Sequence, residues 1–124
     1  MTTQQTKDLL IYAAKAANLE GYTFQEETPL QSAMMVRRNI DEHGWDIGVQ
    51  DFDPINCDGD AFKLQVKLKM DVNISHITNE VIVFTMSGNK INRVDGEWSL
   101  SFDEYAATRL AITKAAAMTE GWKE

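Results

Sequence analysis

FKLQVKLKMDVNIS, residues 62–75, alternates apolar and polar side chains without a break. Successive side chains of a strand point to opposite faces, so this period of two predicts one long, half-buried strand. Such a strand would run to 14 residues, against a usual length of about five or six. A competing division makes a helix of residues 59–69, with Ala61, Leu64 and Leu68 on one face, and starts a strand near Met70. Asp58 would then be the N-cap, Asp60 would sit in the first turn, and Lys67 and Lys69 in the last, each charge where the helix dipole favours it. Pattern alone leaves both divisions open.

Just upstream, DFDPINCDGDAF (residues 51–62) puts four aspartates into ten positions. A calcium loop of the EF-hand type needs oxygen ligands at positions 1, 3 and 5, glycine at 6 and glutamate at 12. Counted from Asp51, position 5 is Ile55, position 6 is Asn56 and position 12 is Phe62; counted from Asp53, position 3 is already Ile55. Neither register works, and the aspartates are read as turn and cap residues. His43 and His76 are 33 residues apart, with no second ligand one helical turn away, so no zinc pair is formed. No nucleophile elbow or phosphate-binding glycine loop occurs. Cys57, the one cysteine, carries no sign of activation and is read as a small packing residue. The expectation is no catalytic residue, no metal and no cofactor.

Elsewhere the elements are easier to place. Residues 5–20 carry Leu9, Tyr12, Ala13, Ala16 and Leu19 at helical spacing, with Gly21 as a stop. Tyr22 and Phe24 alternate as in a short strand, and Thr28-Pro29 interrupts the chain. Between Leu30 and Val49 a weak helical stripe competes with two strands around the polar stretch IDEH, and the hairpin is preferred. DVNISHI, EVIVFTM and KINRV, separated by turn residues, suggest an antiparallel meander, with Asp95-Gly96 read as a further turn. Ser101 and Glu104 have capping-box spacing, Leu100 and Tyr105 the spacing of a hydrophobic staple. The helix that follows is rich in alanine, with Thr108, Arg109, Thr113 and Lys114 as its polar side.

The run FDPINCDGDAFKLQVKLKMDVNI, followed by DEYAATRLAITKAAAMTEG, resembles the phage ABA sandwich domain family of small bacteriophage and prophage proteins. The likeness is carried by Phe52, Pro54, Asp58, Asp60, Ala61, Leu64, Val66 and Leu68, and again by Ala107, Arg109, Ala111, Ile112, Ala115 and Ala116. It covers roughly the C-terminal two thirds of the chain. Asp53 stands where asparagine is common in the family, and Cys57 where an aspartate is common. The resemblance implies helices packed on a small sheet and the helical division at residues 59–69; it implies no activity. On it, the expected fold is α+β: one domain, residues 1–124, with helices on a small, mostly antiparallel sheet in an α-β-α sandwich-like arrangement.

Composition narrows the function by charge. The formal net charge is -7, and residues 41–60 hold seven acids with no Lys or Arg, while the rest balances twelve acids against twelve bases. This argues against direct nucleic-acid binding. No signal-peptide pattern and no apolar run of membrane-spanning length occurs, so a cytoplasmic protein is expected, in the host cell if the phage resemblance holds. The reading is a non-catalytic phage or prophage accessory protein that binds a host or phage macromolecule, most simply a protein, through an acidic surface. Its contact residues would be Glu42, Trp45, Asp46, Asp51 and Asp53, although Trp45 and Trp122 are also read as covering the edge of the core. Self-association is compatible with it. Two alternatives stand beside it: a nucleotide-binding sponge or small enzyme using Arg37, Arg38, Arg93 and Arg109, and a structural or DNA-mimicking protein.

Overall fold

The computed structural model describes residues 1–99 and 103–124. Along the chain run α1 (Thr3–Ala16), β1 (Thr23–Gln25), β2 (Met34–Ile40), β3 (Asp46–Phe52), α2 (Asp58–Lys67), β4 (Asp71–Ser75), β5 (Glu80–Ser87), β6 (Lys90–Glu97) and α3 (Glu104–Met118). The fold is α+β, with the strands divided between two antiparallel three-stranded sheets, β1-β2-β3 and β4-β5-β6, where the sequence suggested one.

The stretch 62–75 divides. Were it one strand, Phe62, Leu64, Val66 and Leu68 would share a buried face; instead Leu64 is buried while Phe62 and Val66 are exposed, as one face of a helix requires. Helix α2 stops because Lys69 turns left-handed, at φ 52°. The Lys69 N–H then donates to the Val66 carbonyl (3.3 Å) and the Met70 N–H to the Gln65 carbonyl (3.0 Å), which is a Schellman ending. The Lys67 ammonium reaches the Ala17 carbonyl at the end of α1, so the last turn of α2 supplies a donor to a neighbouring helix end.

The start of α2 differs from the sequence reading. Cys57 is the N-cap, without a side-chain bond, and Asp58 is the first helical residue. The Asp58 carboxylate points away from the helix end and accepts from Arg109 Nη1 at 2.7 Å. What closes this corner is the preceding turn, in which the Asp53 carbonyl accepts the Cys57 N–H at 2.8 Å and the Asp60 carboxylate accepts the Asp53 N–H at 2.9 Å. Asp58 and Asp60 still lie in the first turn, where the dipole favours them.

The other helices are capped more conventionally. Thr2 and Gln5 form a reciprocal capping box at α1, which therefore begins two residues earlier than residue 5. At its far end Asn18 takes the left-handed conformation, φ 56°. For α3 the N-cap is Asp103, which accepts the Ala106 N–H at 2.7 Å. The capping box at Ser101 and the staple at Leu100 lie outside the described residues.

One buried cluster joins all three helices to both sheets: Leu10 and Ala13 of α1, Met35 and Phe52 of the first sheet, Leu64 of α2, Val81 and Val83 of β5, and the alanines of α3. Helix α3 packs against α1, α2, β5 and β6. Thr113, assigned by sequence to a polar side, is fully buried there, its hydroxyl satisfied by the Arg109 carbonyl at 2.8 Å. Gly96, read as a turn, lies inside β6. Its role is close approach: a Cβ placed there would stand 2.9 Å from Val81 Cγ1, 3.3 Å from the Ala107 carbonyl oxygen and 3.6 Å from Ala111 Cβ. Gly96→Ala is therefore expected to lower stability by about 1–3 kcal/mol through overpacking, read as a shift in the urea midpoint. A midpoint equal to that of the parent would contradict so tight a seat.

Candidate functional site

The hairpin of β2 and β3 is built by its turn. The Asp41 carboxylate accepts the N–H groups of His43 and Trp45, each at 2.9 Å. The Gly44 N–H donates to the Asp41 carbonyl at 3.1 Å, and the Asp41 N–H to the Trp45 carbonyl at 2.9 Å. Gly44 then needs φ 82°, the left-handed residue that closes a three-residue hairpin loop. The register runs from Met35 opposite Phe52 to Ile40 opposite Asp46, with an irregularity beside Asn39 and Ile40. Only the base of this hairpin enters the core: Met34, Met35 and Phe52 are buried.

Its outer half does not. Ile40, Trp45, Ile47 and Val49 are 55%, 70%, 66% and 52% exposed. Four large apolar side chains on one short segment are each more than half in water, a concentration of exposed apolar surface of the kind that marks contact regions. Strand β3 is also the outer strand of its sheet. Of the tryptophans read as covering the core edge, Trp122 is half-buried, whereas Trp45 stands in solvent.

The acids predicted for the site separate into two groups. Glu42 lies in the turn, 3.5 Å from the His43 imidazole. Asp46 accepts from Arg38 Nη1 at 3.2 Å and from the Gly48 N–H at 3.1 Å, and is exposed. Asp51 is exposed and has no hydrogen-bond or ion-pair partner among the described residues. Glu42, Trp45, Asp46 and Asp51 thus share the hairpin. Asp53 does not belong with them: it is buried, accepting from the Ser32 hydroxyl at 2.7 Å and from the Asn56 N–H and side-chain amide at 3.3 and 3.2 Å. A carboxylate with three donors inside the chain is a corner post rather than a contact. Sequence reasoning missed Ile40, Ile47 and Val49, since strand alternation shows which residues share a face but not that the face is left open.

A second feature is a cleft of about 510 Å³ where α2, α3 and the end of β4 meet. Phe62, Ile74, His76, Glu104, Tyr105 and Arg109 are among its lining residues. His76 Nδ1 stands 3.1 Å from Glu104 Oε2, so a carboxylate orients the imidazole. Thr108 Oγ1, also in the lining, donates to the Glu104 carbonyl at 2.7 Å, and no serine or cysteine lines the cleft among the described residues. Arg109 is held by the Ile55 carbonyl at 2.9 Å and by Asp58. The other arginines considered for a nucleotide pocket are elsewhere: Arg38 pairs with Asp46, Arg93 with Asp95, and Arg37 lies beside Gly21. Among the described residues no three His, Cys, Asp or Glu side chains gather as a metal site would require.

Cys57, expected as a packing residue, is exposed at the start of α2. It stands at the N-cap, where the turn from Asp53 holds its N–H and its side chain makes no hydrogen bond. Comparison with known proteins gives no match: no family model fits the chain, and no curated protein or solved structure is significantly similar to it. The contrast between the two acids can be measured directly. Asp53→Ala should cost about 1–3 kcal/mol by removing the three hydrogen bonds that the buried carboxylate accepts, whereas Asp51→Ala should change stability by less than about 0.5 kcal/mol. Chemical denaturation of both variants reads the difference, and equal effects would contradict the assignment.

Proposed function

We propose that this chain is a non-catalytic binding protein that engages a basic polypeptide through the outer half of the β2–β3 hairpin. The observation that carries this reading is Trp45, 70% exposed beside Ile40, Ile47 and Val49. A tryptophan kept in water on a segment with no core role loses hydrophobic free energy in the isolated protein and regains it on contact. Charge gives the partner its sign. The segment 41–60 has seven acids and no base, and Glu42, Asp46 and Asp51 lie on the same hairpin as the exposed apolar residues. Fields of this kind speed encounter with cations and repel other acidic surfaces.

The resemblance to the phage ABA sandwich family supports a phage or prophage accessory role in the cytoplasm of the bacterial host, with a host or phage macromolecule as target. Among the described residues no helix is long and apolar enough to cross a membrane. A small-molecule reading is favoured by one observation, the cleft beside His76 and Arg109. It fits a mostly apolar ligand better than a polyphosphate, because the four arginines do not meet there. For a DNA mimic, Asp53 is already lost to the interior and Asp46 is half-neutralised by Arg38.

Parallel captures from host cells with the parent protein and Trp45→Ala, at low and high salt, test the proposal. The partner should be a basic protein retained at low salt, weakened at high salt, and held at least about tenfold less by the variant. Capture indifferent to Trp45→Ala, or a small molecule recovered in its place, would refute it.

A further inference from the structure

We infer that the partner segment binds as an added strand along the free edge of β3. This rests on the reading of the hairpin as a protein-binding arm and states how that arm makes contact. Strand β3 is hydrogen-bonded on one side, to β2, and is the outer member of its sheet. From Val49 to Phe52, where the ladder is regular, its other edge offers backbone N–H and C=O groups in a row, a template for pairing with another chain. Lysine and proline, which commonly blunt such edges, do not occur in DIGVQDF, residues 46–52. The strand instead presents carboxylates.

That choice of charge selects the occupant. A second copy would pair poorly, because the antiparallel register that overlaps residues 46–51 sets Asp46 against Asp51 twice, between molecules each carrying a charge of -7. Like charges directly opposite destabilise a sheet pair. A basic strand has the reverse effect. Val49 and Asp51, on the regular side of the irregularity at Ile47, are alternate residues and share one face. An antiparallel segment reading cation-x-apolar places a Lys or Arg by Asp51 and an apolar side chain by Val49. Asp51, which has no partner among the described residues, is then paired.

The probe is the peptide acetyl-Lys-Thr-Val-Thr-Ile-Lys-amide, titrated into isotope-labelled full chain and followed by amide chemical shifts. Shifts should centre on β3, with affinity falling several-fold for Asp51→Asn and about tenfold when both lysines become glutamates. Two N-methylated forms, blocking alternate backbone N–H groups, separate the mode of contact: one should lose binding and the other keep it. Equal binding by both forms would overturn strand addition while leaving a side-chain contact at the hairpin intact. Absence of shifts on β3, or sedimentation showing that two copies already occupy that edge, would also overturn it.

Discussion

At Gly96 the last helix and the sheet come closer than any side chain permits, with Val81, Ala107 and Ala111 around the vacant Cβ position. Alanine contributes little apolar area, so a helix made largely of alanine must gain from the number and closeness of its contacts. Ala107, Ala111, Ala115, Ala116 and Ala117 are all buried, and α3 touches α1, α2 and two strands. It is the hub. The glycine in β6 and the alanines in α3 are one constraint seen from two sides, and the placing of α2 and β4 follows from it. Arg109 extends that role by holding both the Ile55 carbonyl and Asp58, which ties the corner before α2 to the hub.

The hairpin stands outside this arrangement. Its base, Met34, Met35 and Phe52, completes the core, and beyond it the strands run into solvent with their apolar residues uncovered. Most of the acids that make the segment look like a binding surface do structural work first. Asp41 shapes the turn, Asp53 and Asp60 close the corner before α2, and Asp58 pairs with Arg109. What remains for a partner is a smaller set, Glu42, Asp46 and Asp51, on the same hairpin as Trp45 and the three aliphatic residues. The charge that sequence reading located is real, but its functional share is smaller than its total.

How much of this was legible can be traced residue by residue. The hairpin and the meander of β4 to β6 are readable from turn residues and alternation, whereas the local pattern leaves the helix over residues 59–69 level with a strand, and only the family resemblance favours it; the helix runs from Asp58 to Lys67. The exchange of roles around Asp58 was not readable, since a cap aspartate and an ion-paired first-turn aspartate differ only in what lies across space, here Arg109, 51 positions later. Gly96 misled for the same reason: Asp-Gly marks a turn in isolation, and only the helix packed above it explains glycine within a strand. Asp53 and Asp51 are identical in sequence terms, two residues apart, yet one is enclosed by Ser32 and Asn56 and the other faces water. The strand ends between them at the buried Phe52, and the chain turns inward from there.

A core organised by α3 with a hairpin free of it makes the two differ in how they open. Native-state hydrogen exchange, residue by residue, measures that difference. The account predicts that the buried amides of α3 and β5 exchange only through global unfolding, while those from Ile40 to Val49 exchange orders of magnitude faster through local opening. Protection of the outer hairpin equal to that of α3 would contradict it, and would mean that the exposed tryptophan belongs to the fold and not to a partner.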